Sequence, residues 1–206
     1  MFGYCPDMFV APLNLFVVQI PKTGTRTLHE AVRRQHGDDA IVFSEHDSIL
    51  RMFEKASEKG LMPDGPPDVM AVVREPVSRF ISALNHSFGE FSDEEVSLDD
   101  AINRAFDSRR NRVFRAQCGY IDTEGCNLQL IPFDHFDAAL ERIGYRGPSF
   151  NDSASIKRWR ADDIKKHPRG KEILEHCRLD DKLYERAVSS FPAPLGESTD
   201  EKYDAA

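Results

Sequence analysis

Several features that would assign this 206-residue sequence to other protein classes are absent from it. It has no apolar run approaching the roughly 20 residues that a membrane-spanning helix requires. Residues 1–15 lack the basic region and long apolar stretch of a secretory signal peptide. The formal net charge of −8 disfavours bulk attraction to nucleic acid or to an anionic membrane, although it permits a local basic pocket. These absences predict a cytoplasmic protein with no membrane span and no nucleic acid partner.

Cysteine is scarce, and its positions do not form a metal-binding pattern. The four cysteines are Cys5, Cys118, Cys126 and Cys177. They include no CxxC pair and no Cys/His spacing typical of zinc ligands, so we expect no metal and a reduced compartment. Cys118 and Cys126 are spaced so that a short hairpin could close them into a disulfide, and the sequence leaves this pairing open.

Short apolar runs alternate with segments of helical composition along the chain. Four short apolar runs have the character of buried strands, at residues 14–20, 40–43, 68–73 and 128–131. Between them apolar residues recur at helical spacing, as they do over residues 77–84. This alternation predicts an α/β fold with a central, largely parallel sheet flanked by helices.

The length favours a single domain over residues 1–206. Within it, residues 1–13 are expected to form a mobile lead-in, and residues 193–206 a mobile polar tail.

The segment PKTGTRT, residues 21–27, lies between the first predicted strand and the first predicted helix. Ligands of open parallel sheets bind beyond the carboxyl ends of the strands, where backbone N–H groups and helix dipoles favour an anionic phosphate. Gly24 permits close approach of the backbone, and Lys22 contributes a positive charge. The other candidate contacts are Thr23, Thr25, Arg26 and Thr27. The alternative is an ordinary polar turn that caps a helix, with Lys22 in solvent.

A second candidate segment, REPVSRFIS, follows the third predicted strand. Arg74 stands at the strand end, and Ser82 lies about two helical turns further on. An arginine fork can donate two parallel hydrogen bonds to a phosphate. Taken alone, Arg74 could instead pair with Glu75 or Glu45, and Ser82 could be a helix-surface serine. The two segments in this order, each after a strand, are much less expected by chance and favour the functional interpretation of both.

Together the two segments resemble the nucleotide-binding motifs of sulfotransferases that use 3′-phosphoadenosine 5′-phosphosulfate (PAPS). PKTGT resembles the PK[ST]G[ST] loop of that family, whereas in a Walker A loop the lysine follows the glycines. Residues 114–121, 130–140 and 180–188 look like later segments of the branch that contains bacterial sulfotransferases and heparan sulfate 2-O-sulfotransferases.

The resemblance implies a P-loop-like three-layer fold and a sulfuryl transfer from PAPS to a hydroxyl acceptor, for example on a carbohydrate. It places Lys22 and residues 23–27 at the 5′-phosphosulfate, and Arg74 and Ser82 at the 3′-phosphate. It also suggests that Tyr120 lies near the adenine. No metal is implied.

A histidine with a pKa near neutrality is the expected general base for the acceptor hydroxyl. His46 follows the second predicted strand, which a parallel sheet would place beside the phosphate loop. In the resembling branch a histidine after this strand is the base, whereas other sulfotransferases use a glutamate, so Glu45 is the alternative. His46 could also be a polar loop residue without a catalytic role.

Two other functions remain open at this point. A non-catalytic module could keep the nucleotide pocket without the chemistry. A P-loop small-molecule kinase would need an acidic residue at a strand end to hold magnesium, and the strand here ends in Arg74. Neither the acceptor nor the oligomeric state can be read from the sequence.

Overall fold

The structure is a computed structural model that describes residues 7–45, 47–90, 96–107, 112–122, 124–147 and 158–191. The strands of this part of the chain are β1 (Asp7–Val10), β2 (Leu15–Val18), β3 (Ile41–Glu45), β4 (Asp68–Val73) and β5 (Asn127–Pro132). Its α-helices are α1 (Thr25–His36), α2 (Ile49–Glu58), α3 (Pro76–Leu84), α4 (Leu98–Asp107), α5 (Phe136–Arg142), α6 (Ala161–Lys166), α7 (Gly170–Cys177) and α8 (Asp181–Ser190). None of the described helices is long and apolar enough to cross a bilayer.

The strands form one mixed sheet in the order β3-β1-β2-β4-β5. β2 pairs with β4, and β4 with β5, in parallel. β1 is antiparallel to both of its neighbours, β2 and β3, so β3 runs in the same direction as β2. Four strands therefore end at the same edge of the sheet, and the predicted α/β class with a largely parallel sheet is confirmed.

Helices cover both faces of the sheet, which makes the fold three-layered. Leu15 and Val17 of β2 pack into a cluster that includes residues of α1 and α5. Phe16 and Val18 belong to a cluster on the opposite face that includes residues of α2 and α8. All four side chains are buried because a strand covered on both sides has no solvent-facing residue, which explains the continuous apolar runs in the sequence.

A third apolar cluster lies among α3, α4, α6 and α7. Phe80 and Leu84 of α3 are buried in it, as the helical spacing of this segment predicts. Trp159 is 7% exposed and belongs to the same cluster. α4 begins after Ser97, whose hydroxyl accepts a hydrogen bond from the backbone N–H of Asp100 at 3.1 Å.

Residues 7–10 of the expected lead-in over residues 1–13 form β1, a strand of the sheet. A short 3-10 turn, Ala11–Leu13, connects β1 to β2, and Asn14 has the left-handed φ of +49° that closes this connection. β1 is not apparent from the sequence because it has only four residues and Pro12 soon follows. Its conformation depends on two flanking strands rather than on its own pattern.

β1 also changes the expected position of His46. Because β1 lies between β2 and β3, the strand that leads to His46 is not beside the strand that leads to the phosphate loop. Two strand spacings, about 10 Å, separate β3 from β2. Both strands still end at the same sheet edge, and His46 itself lies outside the described residues.

Candidate nucleotide-binding site

The two predicted anion-binding segments lie side by side at one edge of the sheet. β2 and β4 are parallel neighbours, with Val18 level with Ala71. The β2–α1 loop and the β4–α3 loop therefore leave the sheet in the same direction. A guanidinium nitrogen of Arg74, Nη1, lies 3.4 Å from the backbone oxygen of Lys22 and joins the two loops directly.

The β2–α1 loop turns sharply into a helix. Lys22 and Gly24 both have left-handed backbones, with φ of +70° and +84°. The Thr23 hydroxyl donates a hydrogen bond to the Ile20 carbonyl at 2.7 Å and closes the turn. A side chain at position 24 would overlap the ring of Phe136, so glycine is required there by packing as well as by φ.

The N-terminus of α1 is open towards the sheet edge. Its N-cap is Gly24, and in this part of the structure no side chain caps the helix. The first turn contains no acidic residue. The N–H groups of Thr25, Arg26 and Thr27 thus have the arrangement that binds anions at helix N-termini, where the dipole adds a partial positive charge.

The N-terminus of α3, at the end of the β4–α3 loop, is closed. The carboxylate of Glu75 accepts hydrogen bonds from the N–H groups of Val77 at 3.0 Å and of Ser78 at 2.6 Å. Pro76 occupies the first helical position, as the sequence predicts. An anion therefore cannot use the backbone of this helix end, and the β4–α3 loop must recognise a ligand through its side chains.

Arg74 is half-buried and has no carboxylate within ion-pair distance among the described residues, so the pairing with Glu75 considered above is not formed. Its guanidinium stacks over the Phe133 ring, 4.7 Å from the centroid. Burial lowers the pKa of the Arg74 guanidinium, and nearby Asp134 and Glu75 oppose this shift. A partly desolvated cation without a paired carboxylate is a natural partner for an anionic ligand.

The backbone of Arg74 is held by Gln117, whose side chain is fully buried. The Arg74 N–H donates to Gln117 Oε1 at 2.9 Å, and Gln117 Nε2 donates to the Arg74 carbonyl at 2.8 Å. The backbone N–H groups of Gln117 and Cys118 donate to the two oxygens of buried Asp180, each at 2.8 Å. The position of Arg74 thus depends on residues far away in the sequence.

Arg79 fixes the other side of the segment that contains Gln117. Its guanidinium is 2% exposed and donates to the carbonyls of Val113 at 3.0 Å and Arg115 at 2.8 Å. Burial lowers the pKa of Arg79, and Asp180 opposes this shift. Within residues 113–118, backbone carbonyls thus accept hydrogen bonds from the Arg79 cation, and backbone N–H groups donate to the Asp180 carboxylate.

The structure brings together most of the residues predicted from the sequence. Lys22, residues 23–27 and Arg74 lie at one sheet edge, and Ser82 is a half-buried residue of α3 about two turns from its start. The Thr23 hydroxyl donates within its own loop, and the residue as a whole is 1% exposed.

The suggested place of Tyr120 near an adenine is not supported. Its side chain is fully buried in the apolar cluster on the face of the sheet covered by α2 and α8. The Arg115 guanidinium lies 4.9 Å from its ring centroid.

Four residues help to position the two loops in ways that the sequence did not indicate. Gln117 and Asp180 hold Arg74, Phe133 stacks on it, and Phe136 packs against Gly24. All four lie within the three supporting segments, residues 114–121, 130–140 and 180–188. The resemblance gave a role to none of these four residues; the residue that it singled out in these segments, Tyr120, lies in the core.

The remaining predictions on titratable residues are resolved only in part. The side chain of Glu45 and the whole of His46 lie outside the described residues, so the base stays a prediction. Asp47, which follows, pairs with Lys55 at 2.6 Å. Cys118 and Cys126 are free thiols, and burial raises the pKa of each.

No group of three metal-ligating side chains is found among the described residues. Comparison with known proteins gave no match to a family model, to a curated protein or to a solved structure.

Proposed function

We propose that this protein is a sulfotransferase that moves the sulfuryl group of PAPS to a hydroxyl acceptor. The observation that carries the proposal is the contact between Arg74 and Lys22, which joins two different anion-binding loops at the ends of neighbouring parallel strands. A nucleotide with anionic groups on both its 3′ and 5′ positions requires two such sites. A P-loop-like arrangement of the three layers is part of this proposal.

The residues present fit such a nucleotide. The open N-terminus of α1 suits a phosphosulfate, because its N–H groups and dipole favour negative charge and its first turn has no acid. Arg74 suits a terminal phosphate, because its guanidinium fork can donate to two oxygens. Glu75 caps α3, which leaves the anion at this loop to side chains, namely Arg74 and Ser82.

In the proposed reaction, Lys22 stabilises the negative charge that develops on the oxygen between sulfur and phosphorus. The N–H groups of residues 23–27 hold the phosphosulfate, while Arg74 and Ser82 orient the nucleotide for in-line attack. His46 removes the proton from the acceptor hydroxyl, with Glu45 as the alternative base. A bond forms between the acceptor oxygen and sulfur, the sulfur–oxygen bond to the phosphate breaks, and 3′-phosphoadenosine 5′-phosphate leaves.

The separation of β3 from β2 is compatible with a base on the loop after β3. A general base must contact the acceptor hydroxyl rather than Lys22, and the sulfuryl group lies between the two. Two strand spacings, about 10 Å, leave room for these groups at the sheet edge. The acceptor in this proposal is a hydroxyl group of a small molecule or a glycan.

The test is calorimetric titration with 3′-phosphoadenosine 5′-phosphate, the stable product, without added metal. Binding should be much tighter than for adenosine 5′-phosphate or ATP, because only the product engages both loops. Equal binding of all three, or a preference for ATP with magnesium, would refute the proposal and favour a kinase. Product binding without sulfuryl transfer to any of a broad set of hydroxyl compounds would instead indicate a non-catalytic nucleotide-binding module.

A further inference from the structure

Gln117 forms a two-bond bracket on the backbone of Arg74. β4 ends at Val73, whose partner in β5 is Pro132, so Arg74 is the first residue beyond the described ladder. The Gln117 amide accepts from the Arg74 N–H and donates to the Arg74 carbonyl, at 2.9 and 2.8 Å. It thereby takes the place that a neighbouring strand would have and fixes the residue just where the chain leaves the sheet.

The bracket is itself anchored in the core. Gln117 is fully buried and Asp180 is 2% exposed, so both side chains are held by contacts within the protein. Both carboxylate oxygens of Asp180 accept backbone hydrogen bonds, one from Gln117 and one from Cys118. A change at Asp180 would therefore reach Arg74 through Gln117 and its segment.

We propose that Gln117 is a positioning residue for Arg74 that determines recognition of the ligand's 3′-phosphate, with Asp180 holding Gln117 in place. This inference rests on the proposed function, since it assigns the 3′-phosphate to Arg74. The guanidinium is already restrained by Phe133 and by the Lys22 carbonyl. The bracket fixes the backbone end of the same side chain, so the whole arginine is preorganised before the ligand arrives.

The chain contains a second bracket of the same kind, which provides a matched control. The buried Asn85 side chain accepts from the Trp159 N–H and donates to the Trp159 carbonyl, both at 3.0 Å. Asn85 lies at the opposite end of α3 from Arg74, roughly 13 Å along the helix axis. Its loss should affect stability as the loss of Gln117 does, without moving Arg74.

The experiment compares Gln117→Met with Asn85→Leu, which keep similar side-chain volume but remove the bracket. For each variant and the wild type, calorimetry gives the Kd of 3′-phosphoadenosine 5′-phosphate and of adenosine 5′-phosphate. The affinity ratio, which is the Kd of adenosine 5′-phosphate divided by the Kd of 3′-phosphoadenosine 5′-phosphate, isolates the contribution of the 3′-phosphate. Urea denaturation gives the stability of each variant.

Both variants should unfold at lower urea concentration than the wild type, because each leaves buried backbone groups without partners. Gln117→Met should lower the affinity ratio about tenfold, whereas Asn85→Leu should leave it within about twofold of the wild type. An unchanged ratio in Gln117→Met would overturn the inference and leave the proposed function intact. A wild-type protein that does not prefer the bisphosphate would overturn the proposed function as well.

If Gln117→Met does not fold, Asp180→Asn is the second test. It keeps the shape of the side chain but replaces one acceptor oxygen with an amide that faces a backbone N–H. We expect a fall of about threefold or more in the same affinity ratio. A folded Asp180→Asn protein with the wild-type ratio would then overturn the inference.

Discussion

The two loops at the sheet edge are built on opposite principles. The β2–α1 loop presents backbone: its residues take left-handed conformations, its helix N-terminus is uncapped, and its first turn has no acid. The β4–α3 loop presents a side chain: Glu75 closes its helix N-terminus, and Arg74 projects from a backbone held by Gln117. The first loop thus depends mainly on its own backbone conformation, with Phe136 packed against Gly24, and the second on hydrogen bonds from distant residues.

In the proposed function, this difference lets one edge of the sheet distinguish two anionic groups on the same ligand. Backbone N–H groups donate to an anion from several positions, and the helix dipole favours negative charge there. Together they tolerate changes in the charge of the anion. A single guanidinium fork requires a correctly oriented phosphate. For the proposed nucleotide, substitutions in the two loops should therefore affect different ends of the ligand.

Lys22→Ala should reduce the turnover of PAPS at least ~100-fold, because it removes the charge closest to the leaving group. The backbone strain should not change, since lysine and alanine both carry a Cβ at the φ of +70°. Steady-state release of the nucleotide product measures the effect. Lys165→Ala on α6 is the control, because this exposed lysine lies outside both loops. Turnover near the wild-type rate in Lys22→Ala would remove Lys22 from the mechanism.

His46→Ala should also reduce turnover about 100-fold, because the acceptor hydroxyl loses its base, while nucleotide binding stays close to that of the wild type. Glu45→Ala is the matched comparison at the end of β3. Turnover and product affinity are measured for both variants. A large loss in Glu45→Ala with little change in His46→Ala would transfer the role of base to the glutamate.

Arg74→Ala should weaken binding of 3′-phosphoadenosine 5′-phosphate by roughly 10–100-fold and leave adenosine 5′-phosphate almost unaffected. Arg74→Lys should fall between, because an ammonium keeps the charge but loses the fork. Calorimetry with both nucleotides measures this. Arg142→Ala is the control, since Arg142 pairs with Asp68 at the opposite edge of the sheet. Equal losses for the two nucleotides would contradict the division of roles between the loops.

Gly24→Ala should lower the free energy of unfolding by about 2–4 kcal/mol, from left-handed strain and from overlap with Phe136. Gly60→Ala is the matched control: its φ is +67°, but nothing lies within 4 Å of the added Cβ. It should cost only about 1 kcal/mol. Urea denaturation measures both. Similar losses would show that Phe136 can move aside and that packing does not fix the first loop.

His29 should give the smallest effect, a pH dependence of stability in the helix that carries the first loop. Burial lowers the pKa of His29, Arg33 lowers it further, and Glu30 and Asp38 oppose them. The unfolded chain therefore binds this proton more tightly than the folded protein. The unfolding free energy should be highest above the ordinary pKa of 6.5 and fall as the pH drops below it.

The measurement compares wild type and His29→Gln by urea denaturation at about pH 7.5 and about pH 5.5. The wild type should lose more stability than the variant over this interval. An equal loss would show that the environment of His29 is similar in the folded and unfolded states.

Local sequence predicted most of the elements of this fold, because buried strands and amphipathic helices have distinct apolar patterns. The strand predicted at residues 68–73 has those bounds in the structure, since both of its faces are covered. The strand predicted at residues 128–131 is longer by one residue at each end in the structure. Pro132 is tolerated there because β5 is an edge strand.

The sequence alone determined the two loops and their order, because each consists of adjacent residues whose types suit an anion. Tertiary structure decided that the loops touch, that β1 separates β3 from β2, and that Gln117 and Asp180 hold Arg74. Arg74 and Gln117 are 43 positions apart, and Gln117 and Asp180 are 63 apart. No local spacing encodes such contacts, because they form only when the packing of the sheet and helices brings these segments together.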